Sequence, residues 1–235
     1  MKNFIYHPEI LSSFSDLRAG IILAEKLSND LSVDQLLRKY SDQQDTTIAE
    51  ISDKPISELE AIAAWRNAFR KFGVNPTKYR CAPEALLRRL TKKGDIPSIN
   101  SIVDCCNLVS IRYKIAVAAF DTKTLTGAVT VRFSNGTERY TPLGESITQS
   151  PEKGEVVFVD EKDLVIARRW CWRQSDDSAV NENTSQAIIT VEGHHKGAQQ
   201  DVTKATDDLL NLLKVFAGGE FNFSFLGPDT KKYSY

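Results

Sequence analysis

Six consecutive residues, Arg168-Arg169-Trp170-Cys171-Trp172-Arg173, carry the densest functional chemistry in the chain. Three guanidinium groups suit bidentate contact with phosphate, and two indoles suit stacking on a nucleobase. In a regular strand, alternation puts Arg168, Trp170 and Trp172 on one face and Arg169, Cys171 and Arg173 on the other. The same tryptophans also suit a core face covered by arginine stems. A second concentration runs from Arg66 to Lys93, where nine basic residues face only Glu84, a local charge of +8. Arg80, Arg88, Arg89, Lys92 and Lys93 lie in its second half. Such a patch binds a phosphate backbone electrostatically. It equally suits a solvated helix face bridged to the acidic segment Asp42–Glu60, which carries −5.

Other chemistries find less support. Cys105 or Cys106 would need a histidine base brought close in space. The three histidines are His7, His194 and His195, and the last two fall in the glycine-flanked segment 193–197, which reads as a surface turn. Four cysteines at 81, 105, 106 and 171 show no C-x-x-C spacing, and two adjacent cysteines are badly placed to bridge each other. Reduced thiols in a cytoplasmic protein follow. No zinc spacing, P-loop or dinucleotide-binding glycine pattern is present, so no metal or other cofactor is expected.

The chain has 235 residues, 41% hydrophobic and 26% charged, with a net charge of −1. That composition supports a sizeable core and excludes a polycationic nucleic-acid binder or an acidic disordered chain. No apolar run approaches the roughly 18 residues needed to span a bilayer, and the first residues lack the apolar stretch of a signal peptide.

The positioning elements follow from periodicity. Residues 14–27 read as a buried strand containing Gly20. Ser32 suits the cap of a helix over 33–51, and Pro55 ends it. A helix over 57–72 stops at Gly73, and one over 83–93 starts with Pro83 and Glu84 and stops at Gly94. A further helix spans 99–113. Strands follow at 115–121, 126–133, 138–143, 156–159, 164–170 and 186–191. A last helix over 199–217 stops at Gly218-Gly219, and 221–225 alternates like an edge strand. Helices, then strands, then a helix imply an α+β fold with mainly antiparallel sheets and flanking helices. No linker divides residues 1–235, so one domain is expected, with 1–75 as an N-terminal α/β layer on 76–235.

Residues 98–127, SINSIVDCCNLVSIRYKIAVAAFDTKTLTG, resemble the tRNA-editing domain of the bacterial phenylalanyl-tRNA synthetase β subunit. The shared pattern is Ser98, Ile99, Asn100, Val103, Asp104, Asn107 and Val109, then Ala119, Phe120, Asp121 and Gly127. A second collinear match is VVFVDEKDLVIA at 156–167, then Thr184 and the apolar strand 187–191. The resemblance covers roughly 75–200. The length and the segments WRNAFRKFGVNPTKYRCAPEALLRRL and RRWCWRQS suggest similarity to a free-standing subgroup.

In the synthetase this domain hydrolyses tyrosine wrongly attached to phenylalanine tRNA. The resemblance therefore implies the same fold and a trans-acting deacylase of mischarged aminoacyl-tRNA in translation quality control. It implies that Asn107 matches an asparagine near the scissile ester. Cys106 stands where the synthetase usually has threonine, and Ala118 where it has a histidine. Thr190 or Glu192 takes the place of its pocket glutamate, and alternation keeps both on one face. Arg169-Trp170-Cys171-Trp172 replaces its glycine-rich pocket loop. Arg80, Arg88, Arg89, Lys92, Lys93, Arg168, Arg169 and Arg173 become the expected tRNA contacts. The alternatives are a non-catalytic tRNA- or RNA-binding protein, or a sensor of free aromatic amino acids.

Overall fold

The computed structural model describes residues 3–29, 33–51 and 54–234. Its elements in order are β1 (Asn3–Tyr6), α1 (Pro8–Ser13), β2 (Arg18–Glu25), α2 (Asp34–Ile51), α3 (Glu60–Lys71), α4 (Ala82–Lys93), α5 (Ser101–Tyr113) and β3 (Ala116–Asp121). There follow β4 (Val129–Phe133), β5 (Val156–Val159), β6 (Val165–Arg168), β7 (Arg173–Gln174), β8 (Gln186–Gly193), α6 (Ala198–Phe216), β9 (Glu220–Leu226) and β10 (Lys232–Ser234). Short 3-10 turns lie at Ile56–Glu58 and Asp176–Ser178.

Two sheets organise the chain. The order β3-β8-β2-β9 forms a four-stranded, fully antiparallel sheet. The order β10-β1-β4-β5-β6-β7 forms the other, parallel only between β1 and β4. The expected α+β class with mainly antiparallel sheets and flanking helices therefore holds. β2 and β8 are almost continuously buried, as strands covered on both faces must be. α6 packs on them and comes close to β2 at Gly20, where a Cβ would overlap the Thr206 hydroxyl. That is the reason for a glycine inside a buried strand. Phe120 of β3 and Phe158 of β5 join the two sheets with ring centroids 5.7 Å apart.

Several expectations need correction. The first 75 residues are no separate layer. β1 pairs with β4 and β10, while β2 lies between β8 and β9, so both are interior strands. The helix expected at 57–72 is divided at Leu59, whose extended backbone separates the 3-10 turn from α3. The strand expected at 138–143 reduces to isolated bridges at Arg139, Tyr140 and Pro142. There the buried Glu138 carboxylate accepts from the backbone N–H groups of Asn135, Gly136 and Thr137, which holds a turn instead. The strand expected at 164–170 ends at Arg168 because Arg169 and Trp170 turn into left-handed conformation, with φ of 45° and 61°. β1, α1, β7 and β10 were not expected, being short pieces with distant partners. The stops at Gly94 and Gly218-Gly219 and the edge strand β9 match the expectation, whereas the Ser32 cap lies outside the described residues.

Candidate functional site

The two segments that carry the resemblance are first of all positioning devices. Asn100 caps α5, its side chain accepting from the Val103 N–H at 2.9 Å. Asp104 reaches back to accept from the Ile99 N–H at 2.9 Å and from the Ser98 hydroxyl. This reciprocal cap fixes where α5 starts and which face it shows. At the end of β3, Asp121 accepts from the Thr184 hydroxyl at 2.6 Å and the Lys123 N–H at 2.7 Å. Asp160 then accepts from the Thr126 N–H, and Glu161 from the Ala128 N–H. Between them Gly127 has φ of +69°, and a Cβ there would run into the Glu161 carboxylate. The segment after β5 is thus clamped onto the segment after β3.

A cavity of about 160 Å³ opens between these parts. Val103, Cys106 and Asn107 of α5 form one wall, at the i, i+3, i+4 spacing of one helix face. Val117, Ala118, Ala119 and Phe120 of β3 line another, with Phe158 and Ala167 from the six-stranded sheet. The buried Trp170 and Glu192 also line it, and Ala82, Cys171, Trp172, Arg173 and Gln174 complete the lining. The structure thus brings Cys106, Asn107, Ala118, Trp170, Trp172 and Glu192 together. Thr190 does not line the cavity. It lies two residues before Glu192 on β8, its hydroxyl 3.5 Å from Glu192 Oε2. Sequence reasoning missed Val103, Phe120 and Phe158, although helical spacing from Asn107 points to Val103.

Two electrostatic features stand out. Burial pushes the Glu192 carboxyl up to about 7, partly offset by hydrogen bonds from Trp170 Nε1 at 2.9 Å and the Tyr6 hydroxyl at 2.6 Å. Burial also pushes the Cys106 thiol up to about 12, so it is no thiolate nucleophile near neutrality. Cys105 is raised as well, for the same reason. Asn107 is half-buried, between the cavity and the buried Tyr40 hydroxyl.

The histidine expectation is corrected. His194 and His195 are buried rather than in a surface turn. His194 packs edge-on against Trp65 and Trp170, and burial drives its pKa down to about 3. His195 Nε2 sits 2.8 Å from Asp201 Oδ2. Both line clefts away from Cys106, so a Cys–His pair does not form.

The arginines separate into two groups. Arg168 is buried and bidentate to buried Glu155, at 2.9 and 3.0 Å. Arg169 is buried, pairs with Glu152 at 2.8 Å, and lies 3.9 Å over the Tyr79 ring and 4.7 Å over Trp172. The phosphate roles expected for these two are therefore withdrawn: a buried, paired guanidinium has no free donors facing solvent. Arg88 is half-buried and bridges to Glu84, which also takes Arg66. Arg80, Arg89, Lys92, Lys93 and Arg173 remain exposed. Arg89 donates to the Asp95 carbonyl at 3.2 Å and lies 4.0 Å from its carboxylate. Among the described residues, no salt bridge joins 66–93 to the acidic segment 42–60. The strained turn at 169–170 is held at both ends. The Trp170 N–H donates to Val156 O at 2.7 Å, and the Ala82 N–H donates to Cys171 O at 2.9 Å. The second bond ties the start of the basic helix α4 to the cavity.

Among the described residues, no group of three or more histidine, cysteine or carboxylate side chains is placed to hold a metal ion. No helix among them is long and apolar enough to cross a membrane.

Comparison with known proteins adds relationship to this geometry. The B3/4 domain family matches residues 64–217. The phenylalanine–tRNA ligase β subunit of Shewanella oneidensis is 31% identical over 116 residues, which are 49% of this chain and 14% of that subunit. That of Fusobacterium nucleatum is 34% identical over 95 residues, 40% of this chain and 12% of the subunit. The chain thus spans only a small fraction of the length of these curated relatives. A solved N-terminal fragment of the phenylalanyl-tRNA synthetase β subunit from Pyrococcus horikoshii superposes with a TM-score of 0.48 at 13% identity, covering 93% of this chain and 49% of that one.

Proposed function

Because the chain belongs to the B3/4 domain family, we propose that it binds aminoacyl-tRNA in the cytoplasm and hydrolyses the aminoacyl ester in trans. The observation that carries this reading is the cavity against Asn107, whose lining includes Ala82 at the start of the exposed basic helix. The amino acid enters the cavity, and the tRNA backbone runs over Arg80, Arg89, Lys92 and Lys93. Trp172 and Arg173 flank the entering acceptor end.

An aminoacyl ester is already activated, so positioning and charge stabilisation suffice. The Asn107 amide orients a water against the carbonyl carbon. Arg173 faces the oxygen that becomes negative as the tetrahedral intermediate forms. The bond to the ribose oxygen then breaks, the proton lost by the water passes to that oxygen, and free amino acid and tRNA leave.

A deacylation assay over a panel of correctly and wrongly charged tRNAs tests this. At least one ester should be cleaved well above the buffer rate, and Asn107→Ala should lower that rate by about 10²-fold, the usual effect of losing one such donor. If every ester decays only at the buffer rate, the hydrolase reading fails. One observation favours a non-catalytic tRNA-binding module instead: Ala118 offers the cavity only a methyl group, and Cys106 is protonated. Salt-sensitive tRNA binding without turnover selects that module.

A further inference from the structure

We infer that β9 is a docking edge for a second copy of this chain: two β9 strands pair antiparallel about Phe223 and join two four-stranded sheets into one of eight strands.

The backbone comes first. β9 ends the order β3-β8-β2-β9, and among the described residues it pairs only with β2. The outward N–H and C=O groups of a seven-residue strand are therefore open to another strand. The other outer strands are protected. β7 has two residues and β10 three, and each carries a cation, Arg173 or Lys232. β3 receives the Gln174 side-chain amide on Ala119 O at 2.8 Å. β9 has none of these devices. From Phe221 to Leu226 it holds no charged residue and no proline, and its pairing with β2 runs without a bulge.

The side chains select the occupant. Pairing with β2 sets Phe221, Phe223 and Phe225 opposite Ala24, Ile22 and Gly20, on the sheet face where α6 meets Gly20. Phe223 is nevertheless 46% exposed, and its ring meets Phe225 edge-on with centroids 5.9 Å apart. Asn222 and Ser224 lie on the other face. An antiparallel partner centred on Phe223 matches like with like. Phe223 faces the second copy's Phe223, Phe221 faces Phe225, and Asn222 faces Ser224. Aromatic pairs directly opposite each other across strands are favourable.

Charge favours the same arrangement. Glu220, the only ionisable residue of β9, is paired with Lys26 at 2.6 Å. In the antiparallel register it faces the second copy's Leu226. A parallel, in-register pair would bring the two Glu220 carboxylates side by side. β9 and the cavity-lining β3 are opposite edges of the sheet, so this pairing leaves both cavities open.

Sedimentation velocity on the whole protein from about 1 to 200 µM tests this, since one strand edge is a small interface and implies micromolar affinity. The mass should rise with concentration from 26.3 kDa towards twice that value. Phe223→Lys and Phe223→Glu each set like charges directly opposite, and each alone should weaken dimerisation at least about 10-fold. Mixed in equal amounts, the two should associate at least about 10-fold more tightly than either alone, a recovery that misfolded variants would not show. Ile147→Lys, at an exposed site between β4 and β5, should dimerise like the wild type. Wild-type protein that stays monomeric at the highest concentration overturns the inference and leaves the edge to a different chain. A dimer unaffected by Phe223→Lys also overturns it, as does failure of the two charged variants to recover on mixing.

Discussion

Glu192 is the residue whose chemistry depends most on where the chain puts it. Burial lifts its folded-state pKa from an ordinary 4.5 to about 7, so the folded protein binds this proton more tightly than the unfolded chain. Its stabilising contribution is complete below about pH 4.5 and is lost as pH rises through about 7. The gap corresponds to about 3 kcal/mol. Urea unfolding from pH 4.5 to 8.5 should show wild-type stability declining relative to Glu192→Gln across that window. Curves that stay parallel would show that the carboxyl is not held neutral by the fold. Arg168 and Arg169 carry the complementary lesson. Residue type alone reads them as phosphate contacts, but Glu155 and Glu152 reach them first.

Among the elements, α5 matters most because one helix face brings Val103, Cys106 and Asn107 to the cavity. Its start is set by Asn100 and Asp104, two residues of the motif that first suggested a pocket. The motif therefore combines residues that border the cavity, Val103, Asn107, Ala119 and Phe120, with others that place them there. Asn100→Ala should cost about 1 kcal/mol, a fall in melting temperature of roughly 2–4 °C. Calorimetry reads the shift. An unchanged midpoint would mean that Asp104 alone holds the helix start. The second motif works similarly: Asp160 and Glu161 bond the backbone of the β3–β4 connection rather than facing the cavity.

Across the whole molecule, a net charge of −1 conceals an uneven surface. Part of the +8 segment is neutralised internally, since Glu84 takes both Arg66 and Arg88. The exposed remainder on and beside α4 is Arg80, Arg89, Lys92 and Lys93. Replacing these four by glutamine should weaken tRNA binding and flatten its salt dependence, by roughly 0.7–0.9 in the log–log slope for each phosphate no longer neutralised. Affinity measured from low to moderate salt gives that slope. A variant with the wild-type slope would move the tRNA footprint away from α4. Arg88→Gln should instead lower stability, because it removes a partner from a buried carboxylate.

Local patterns by themselves determined the long helices, the buried strand around Gly20, the central strand β8, the stops at Gly94 and Gly218-Gly219, and the α+β class. These depend on periodicity and on glycine conformations that act over a few residues. The family resemblance also pointed to Asn107 and the region of Glu192, and both line one cavity. Only the tertiary structure decided which charges face solvent, that Tyr6 reaches Glu192 across two sheets, and that β1 and β2 are interior strands, one in each sheet. Those outcomes pair residues from opposite ends of the chain, Tyr6 with Glu192 and Asn3 with Ser234. Burial and competition for partners set them, and neither is written in the spacing of neighbours along the chain.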